Sequence, residues 1–299
     1  MKLVRFETRS GRISWGWLDP ADSSLVHEPL GGLAAVPLDD RLAGGVAALV
    51  ASARTADRTT HELAALRLLA PLARPSKFIA IGRNYRAHAG ELGNQVPDQP
   101  MIFGIMPSAI TGPFDDIVLP AASSQIDWEG ELGVVIGRTA RNVSRGEAVD
   151  YIAGYTVIND VSARDLQKKD VQWTRAKSFD TFKPMGPCLT TVDELGLAGD
   201  LRISVKVGGR QKQSASTALM VFAVADLVEF ISAFCTLQPG DVIATGTPSG
   251  VGMAESPMSF LKHGDIVETE IEGIGRMVNP VVGAGATFAA KEDANLARA

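Results

Sequence analysis

The stretch Ile126-Asp127-Trp128-Glu129-Gly130-Glu131-Leu132-Gly133-Val134-Val135-Ile136-Gly137 changes character halfway along. Three acids alternate at its start, and the run then turns wholly apolar. In an extended strand, successive side chains point to opposite faces. Asp127, Glu129 and Glu131 then share one face, while Ile126, Trp128, Leu132, Val134 and Ile136 take the other. From Leu132 onward both faces are apolar, which suits a strand buried on two sides. The carboxylates therefore stand where a strand enters a core. Unpaired charge is costly there, so the acids need a counter-cation, either Lys, Arg or a metal ion.

Working outward, further strands are expected at 78–81, 152–158, 201–207, 241–244 and 265–271, with 126–136 read as one strand. Residues 224–234 have helical spacing, with Leu227, Val228 and Ile231 on one face. Pro239-Gly240-Asp241-Val242-Ile243 and His263-Gly264-Asp265-Ile266-Val267 are alike, each a Gly-Asp turn feeding a short strand. No regular long helices separate the strands, which argues against a doubly wound βαβ sheet. The expected fold is mainly β, of the α+β class. Residues 1–73 read as a small N-terminal β/α domain, with turns at Ser10-Gly11 and Asp19-Pro20. The Ala-rich part, 42–73, reads as loop and amphipathic helix. A larger second domain is expected over 74–283, and 284–299 is expected to be a fraying tail.

Bulk properties exclude several roles. The chain has 299 residues, 45% of them hydrophobic, ample for a large core. Net charge is −5, with Lys and Arg scattered. There is no basic stripe for nucleic acid and no polybasic membrane anchor. No apolar run reaches the ~20 residues of a membrane span, and the N-terminus reads as alternating β structure, not a secretory signal. Two cysteines, Cys188 and Cys235, make no disulfide framework, so a reducing, cytoplasmic setting is expected.

Five groups of residues can carry chemistry. Glu129 and Glu131 lie ~7 Å apart along one strand face, so both can bend toward one ion. Asp160 ends the apolar run Tyr155-Thr156-Val157-Ile158-Asn159 and supplies a third carboxylate. Three oxygen donors without a neighbouring His or Cys suit Mg²⁺ or Mn²⁺ better than zinc; an exposed acidic strand face is the alternative. Asp127 reads as an end-of-strand hydrogen-bond acceptor and not a ligand. In Gly82-Arg83-Asn84-Tyr85-Arg86-Ala87-His88-Ala89-Gly90-Glu91, a helical turn makes His88 and Glu91 i,i+3 neighbours. A carboxylate beside an imidazole fixes its tautomer and raises its basicity, giving a general base; a surface salt bridge is the alternative.

After Asp160, Arg164 and Gln167 project along one side of a helical turn, able to fork a carboxylate and bond a carbonyl. Lys177, among aromatic and small residues, is placed to stabilise a developing enolate; a snorkelling surface lysine is the alternative. Gly246-Thr247-Pro248-Ser249-Gly250 follows a strand and can present donors to a substrate carboxylate. It lacks the lysine of a phosphate-binding P-loop.

Together GRNYRAHAGE, DWEGELGVVIGR, GYTVINDVSARDLQ, WTRAKSFDTFKPMGP, LQPGDVIATGTPSGVG and LKHGDIVETEIEGIGRMVN resemble the fumarylacetoacetate hydrolase family, in its bacterial acylpyruvase and 2-hydroxyhepta-2,4-diene-1,7-dioate isomerase-like branch. The resemblance covers about residues 75–282. It implies a β-roll of mixed sheets working as a homodimer. It implies a divalent ion, Mg²⁺ or Mn²⁺, on Glu129, Glu131 and Asp160, with Ca²⁺ as an ion a crystal can also show there. His88 and Glu91 match the family's pair on a lid. Arg164, Gln167 and Lys177 match residues contacting a small 2-oxo acid, and Gly246 and Thr247 match the loop receiving its carboxylate. One departure stands out: Ile105 sits near where relatives carry a pocket lysine, which suggests a less polar distal group beside Ile105 and Met106.

The expected reaction is hydrolysis of a C–C bond in a 2,4-dioxo acid of the acylpyruvate or fumarylpyruvate type. His88, oriented by Glu91, activates water, and Lys177 with the metal stabilises the departing enolate. Isomerisation of a 2-hydroxy-dienedioate and decarboxylation of oxaloacetate use the same enolate and stay open. A catalytically silent metal-binding scaffold is the reading from another class.

Overall fold

The computed structural model describes residues 1–33 and 36–284. The expected tail, 284–299, lies almost wholly outside the described residues. The N-terminal part forms β1 (Lys2–Glu7), β2 (Ile13–Leu18), β3 (Leu25–Pro29), helices α1 (Leu38–Arg41) and α2 (Val46–Thr55), then β4 (Arg58–Glu62) and β5 (Arg67–Leu69). Next come β6 (Phe78–Gly82), α3 (Arg86–Glu91), β7 (Met101–Ile105), β8 (Ile110–Thr111), β9 (Ile117–Val118), β10 (Ile126–Asp127) and β11 (Gly130–Ile136). They are followed by β12 (Ile152–Asn159), β13 (Ser162–Ala163), α4 (Arg164–Lys169), α5 (Thr174–Lys177), β14 (Lys183–Thr191) and α6 (Val192–Leu195). The last part holds β15 (Arg202–Val207), β16 (Arg210–Ser216), α7 (Val224–Phe234), β17 (Val242–Ala244), β18 (Ile266–Ile271) and β19 (Gly275–Val282).

A twelve-stranded sheet dominates, in the order β4-β3-β2-β1-β14-β12-β11-β17-β6-β7, with β5 added on β1 and β8 on β14. A second sheet runs β16-β15-β18-β19-β9, and β10 pairs with β13. The mixed, mainly β architecture agrees with the sequence reading. The N-terminal strands join the main sheet directly, because β1 pairs antiparallel with β14.

The apolar run of the decisive stretch is β11, and all seven of its residues are buried. Leu132, Val134 and Ile136 enter one core cluster with Val157, Val224, Leu227 and Ile231, and Val135 enters the other with Ala244 and Ile158. A strand covered on both faces therefore alternates between two cores. Each such Val, Leu or Ile side chain stabilises the fold by ~1.5–3 kcal/mol. Helix α7 closes the first core with the face predicted from its spacing.

Two readings need correction. The stretch 126–136 is not one strand: β10 and β11 are separated at Trp128-Glu129 and have different partners. The Asp127 carboxylate accepts N–H groups from Trp128 (2.9 Å), Gly252 (2.7 Å) and Met253 (3.1 Å), which holds the chain off the main sheet. Gly130 then re-enters the sheet at a place where a Cβ would lie 2.4 Å from Val205 Cγ2. The region 42–73 holds more than loop and helix: β4 and β5 follow α2, because β3 and β1 offer free edges to pair with.

Register explains how the site is assembled. β12 and β14 flank one another antiparallel, with Ile158 opposite Met185, and β11 lies antiparallel to both β12 and β17. β17 and β6 are parallel. The start of β11, the ends of β12, β17 and β6 and the start of β14 therefore meet at one end of the sheet.

Candidate active site

Three carboxylates gather at that sheet end. Gly130 pairs with Asn159, so the residues just beyond the pair, Glu129 and Asp160, are held side by side. Asp160 N–H donates to Glu129 O (2.8 Å), and Glu129 N–H donates to Asn159 Oδ1 (3.0 Å). Glu131 follows on β11. Ligand oxygens of Glu129, Glu131 and Asp160 all lie within 4.8 Å of one another, and all three residues are buried. The exposed-face alternative is thereby removed.

Three cations surround them. Arg164 Nε pairs with Asp127 Oδ2 (2.8 Å), and its Nη2 pairs with Glu129 Oε1 (2.6 Å). Lys177 Nζ bridges Glu129 Oε2 (2.6 Å) and Asp160 Oδ2 (2.8 Å) and lies 5.5 Å from the Phe103 ring centroid. Lys183 Nζ pairs with Asp160 Oδ1 (2.7 Å) and donates to Phe182 O (3.0 Å) and Lys177 O (2.5 Å). Lys177 is no snorkelling surface residue: it is 2% exposed. Asp127 is an acceptor, as expected, and also fixes Arg164.

Charge is unevenly satisfied. Burial pushes the Glu129 carboxyl up, but the neighbouring charges of Lys177 and Arg164 outweigh it and bring it to about 2. Glu131 is driven well above the usual carboxylate range, first by burial and then by the charges of Asp160 and Glu129. Its Oε2 accepts only the Gly246 N–H (2.8 Å), and no Lys or Arg pairs with it among the described residues. Burial lowers the Lys183 ammonium against the pull of Asp160. Tyr85, 1% exposed, keeps a hydroxyl without a hydrogen-bond partner among the described residues and is raised by burial and by Glu131. Three close oxygen donors, one of them without a Lys or Arg ion-pair partner among the described residues, fit a hard divalent ion.

The other predicted residues converge on the same place. His88 Nδ1 lies 2.7 Å from Glu91 Oε1 within α3, as the i,i+3 spacing requires. Glu91 Oε2 accepts the Gly250 N–H (2.8 Å), which ties α3 to the glycine loop. A pocket of about 560 Å³ is lined by His88, Glu91, Glu129, Glu131, Arg164, Gln167, Lys177 and Thr247, together with Arg83, Phe103 and Lys168. None of the described residues of 1–73 lines it. Gln167 Oε1 accepts from Arg164 Nη1 (2.9 Å). Thr247 Oγ1 donates to Gly130 O (2.9 Å) and accepts from Gln213 Nε2 (2.8 Å). The Gly246 amide is spent on Glu131 and does not open to the pocket.

Ile105 also differs from expectation. It is 5% exposed and packs in the second core, away from the pocket lining, while Met106 lies at the surface beside a different depression. The idea of a less polar pocket at those two side chains is therefore set aside. Two residues went unrecognised in the sequence. Lys183 heads an apolar strand, and its reach to Asp160 is visible only across the β12–β14 pairing. Gln213, buried on β16, receives the Gly130 N–H (2.9 Å) and donates to Pro248 O (2.7 Å), which joins the second sheet to the site.

The family model described as fumarylacetoacetate (FAA) hydrolase C-terminal matches residues 77–282, and one described as Rv2993c-like, N-terminal, matches 1–71. A Rattus norvegicus protein named oxaloacetate tautomerase Fahd2a, mitochondrial, is 47% identical over 215 residues, 72% of this chain and 69% of that protein. The solved 2-hydroxyhepta-2,4-diene-1,7-dioate isomerase from Mycobacterium marinum is 39% identical, with a TM-score of 0.76, covering 95% of this chain and 99% of that one. The fumarylacetoacetate hydrolase of Exiguobacterium antarcticum is 37% identical at a TM-score of 0.78, with coverages of 95% and 99%.

Proposed function

The chain belongs to the fumarylacetoacetate hydrolase family, and from that premise we propose that it moves a proton at C3 of a 2-oxo acid, interconverting keto and enol forms. The observation that carries this reading is the His88 imidazole, held by Glu91 and facing a pocket that is also lined by Lys177, Glu129 and Glu131. Relatives named oxaloacetate tautomerase and heptadienedioate isomerase support it over hydrolysis, the first expectation from sequence.

Glu91 accepts from Nδ1–H, so the unprotonated Nε2 is the basic atom. His88 takes the proton from C3 and returns it to oxygen in the enol direction, or the reverse. Glu91, fixed by Gly250, keeps the ring in one orientation. Lys177 places an ammonium where negative charge grows on the 2-oxo oxygen. Arg164, committed to Asp127 and Glu129, holds Gln167 at the pocket wall, where its amide can bond the substrate. Glu129, Glu131 and Asp160 would hold Mg²⁺ or Mn²⁺, which supplies positive charge beside the developing enolate. The Gly250 N–H bond to Glu91 ties α3 to the glycine loop beside the site.

The neighbour named fumarylacetoacetate hydrolase favours a second reading, C–C hydrolysis with His88 drawing a proton from water. A homodimer also follows from the family resemblance, and light scattering checks it. To separate the reactions, decay of enol-oxaloacetate and pyruvate release from an acylpyruvate and from oxaloacetate are measured with Mg²⁺ and with EDTA. The proposal expects metal-dependent enol decay faster than any pyruvate release. Pyruvate release from the acylpyruvate without enol turnover would reverse the order of the two readings.

A further inference from the structure

Lys183, fully buried at the start of β14, does not line the pocket, so a substrate held there does not touch it. A lysine ammonium has three N–H donors. Lys183 spends them on three backbone carbonyls, Lys177 O (2.5 Å), Phe182 O (3.0 Å) and Val161 O (3.2 Å). Asp160 Oδ1 lies 2.7 Å from Nζ yet takes no hydrogen bond among the described residues. Its contact with Lys183 is therefore one of charge alone. The main chain fixes a cation against an acid of the candidate metal site, and the lone pairs of that oxygen stay open.

The neighbouring cations are held differently. Lys177 Nζ donates to Glu129 Oε2 (2.6 Å) and Asp160 Oδ2 (2.8 Å), and it also lines the pocket. Arg164 Nε donates to Asp127 Oδ2 (2.8 Å) and Nη1 to Gln167 Oε1 (2.9 Å). The partners of those two are side chains, while those of Lys183 are main-chain carbonyls on every donor. A divalent ion on Glu129, Glu131 and Asp160 therefore has this positive charge fixed beside it. Repulsion between like charges grows with the product of the two charges, and burial keeps solvent ions from screening it. We infer that Lys183 is a fixed counter-charge that holds down the affinity of the three-acid site for its divalent ion, so that occupancy follows the free ion concentration. The inference deepens the ion-binding part of the reading above and rests on it. A lysine that only staples β14 to its neighbours predicts the opposite sign. Without such a staple Val161 and the adjoining Asp160 loosen, and the ion binds less tightly.

The test titrates the full chain, freed of metal with EDTA and dialysed, with Mn²⁺ followed by electron paramagnetic resonance and with Tb³⁺ followed by its luminescence. Glu131→Gln serves as the blank for binding elsewhere on the surface. Lys183→Met keeps the reach of the side chain and deletes its charge, and Lys183→Gln replaces it if the methionine variant does not fold. Mn²⁺ affinity is expected to rise about 10- to 100-fold in the variant. Tb³⁺ affinity is expected to rise more, ~30-fold where Mn²⁺ gains ~10-fold, because the repulsion scales with the charge of the ion. Mn²⁺ binding by wild type that is unchanged or weaker in the variant overturns the inference and keeps the ion-binding reading. Equal gains for both ions also overturn it, since a rearranged site and not a deleted charge is then the cause. Absence of Mn²⁺ binding in wild type and variant alike sinks the ion-binding reading together with the inference.

Discussion

Two buried carboxylates, Glu28 in the N-terminal strands and Glu131 at the end of the main sheet, are treated in opposite ways. Glu28 is 3% exposed, and its oxygens are fully used: two bonds come from Arg12, one from Ser14 (2.5 Å) and one from His61 (2.8 Å). The Arg12 hydrogen bond, opposed by burial, holds its carboxyl at about 2. Glu131 is 1% exposed, receives a single backbone N–H and stands against two more acids. A carboxylate kept for structure is paired until nothing is left over. A carboxylate kept for function retains an unanswered charge, which a cation from outside can meet.

Substitution breaks this comparison most strongly. Glu131→Gln should lower turnover by roughly a thousandfold or more, since several kcal/mol of transition-state stabilisation depend on the ion it helps to hold. In metal-free buffer the same change should leave the melting temperature equal or higher, because it removes an uncompensated buried acid. A large metal-free destabilisation by Glu131→Gln, seen in thermal melts, would erase the contrast.

Ligand linkage sharpens it next. Mg²⁺ at about a hundred times its Kd should stabilise wild type by ~2.7 kcal/mol. Glu131→Gln should lose that response and Glu28→Gln should keep it, both read as Mg²⁺-dependent shifts in melting temperature. Glu28→Gln itself should cost about 1–3 kcal/mol in urea unfolding while turnover persists.

The smallest effect concerns pH. The Glu28 carboxyl lies at about 2 in the folded protein against 4.5 for its ordinary value. Between those values the unfolded chain binds more protons, so the stability Glu28 contributes is complete above pH 4.5 and fades as pH falls toward 2. Glu28→Gln should therefore flatten the acid limb of the stability curve. An unchanged slope would show that the Arg12 contact does not persist in solution.

What the sequence showed, and what it hid, divides along the same line. The spacing of the acids pointed to Glu129 and Glu131 although Glu129 lies in the break between β10 and β11, helical spacing placed His88 beside Glu91, and α7 fell where its apolar face predicted. These are signals carried by a few adjacent residues. Lys183, Gln213 and the Gly246 amide act across strand pairings or between sheets, and no local pattern marks them. Strands β4 and β5 were hidden for the same reason, since their pairing edges belong to residues 1–29. Ile105 misled because position along the chain says which residue is near a pocket, not which way its side chain packs.

The central claim is that His88 moves a proton at C3. Its most direct test is ¹H NMR of 2-oxobutanoate in D₂O with Mg²⁺, comparing wild type with His88→Gln. The account predicts enzyme-dependent loss of the C3 proton signal in wild type, reduced about 10²- to 10⁴-fold in the variant. Equal exchange by both proteins would contradict it.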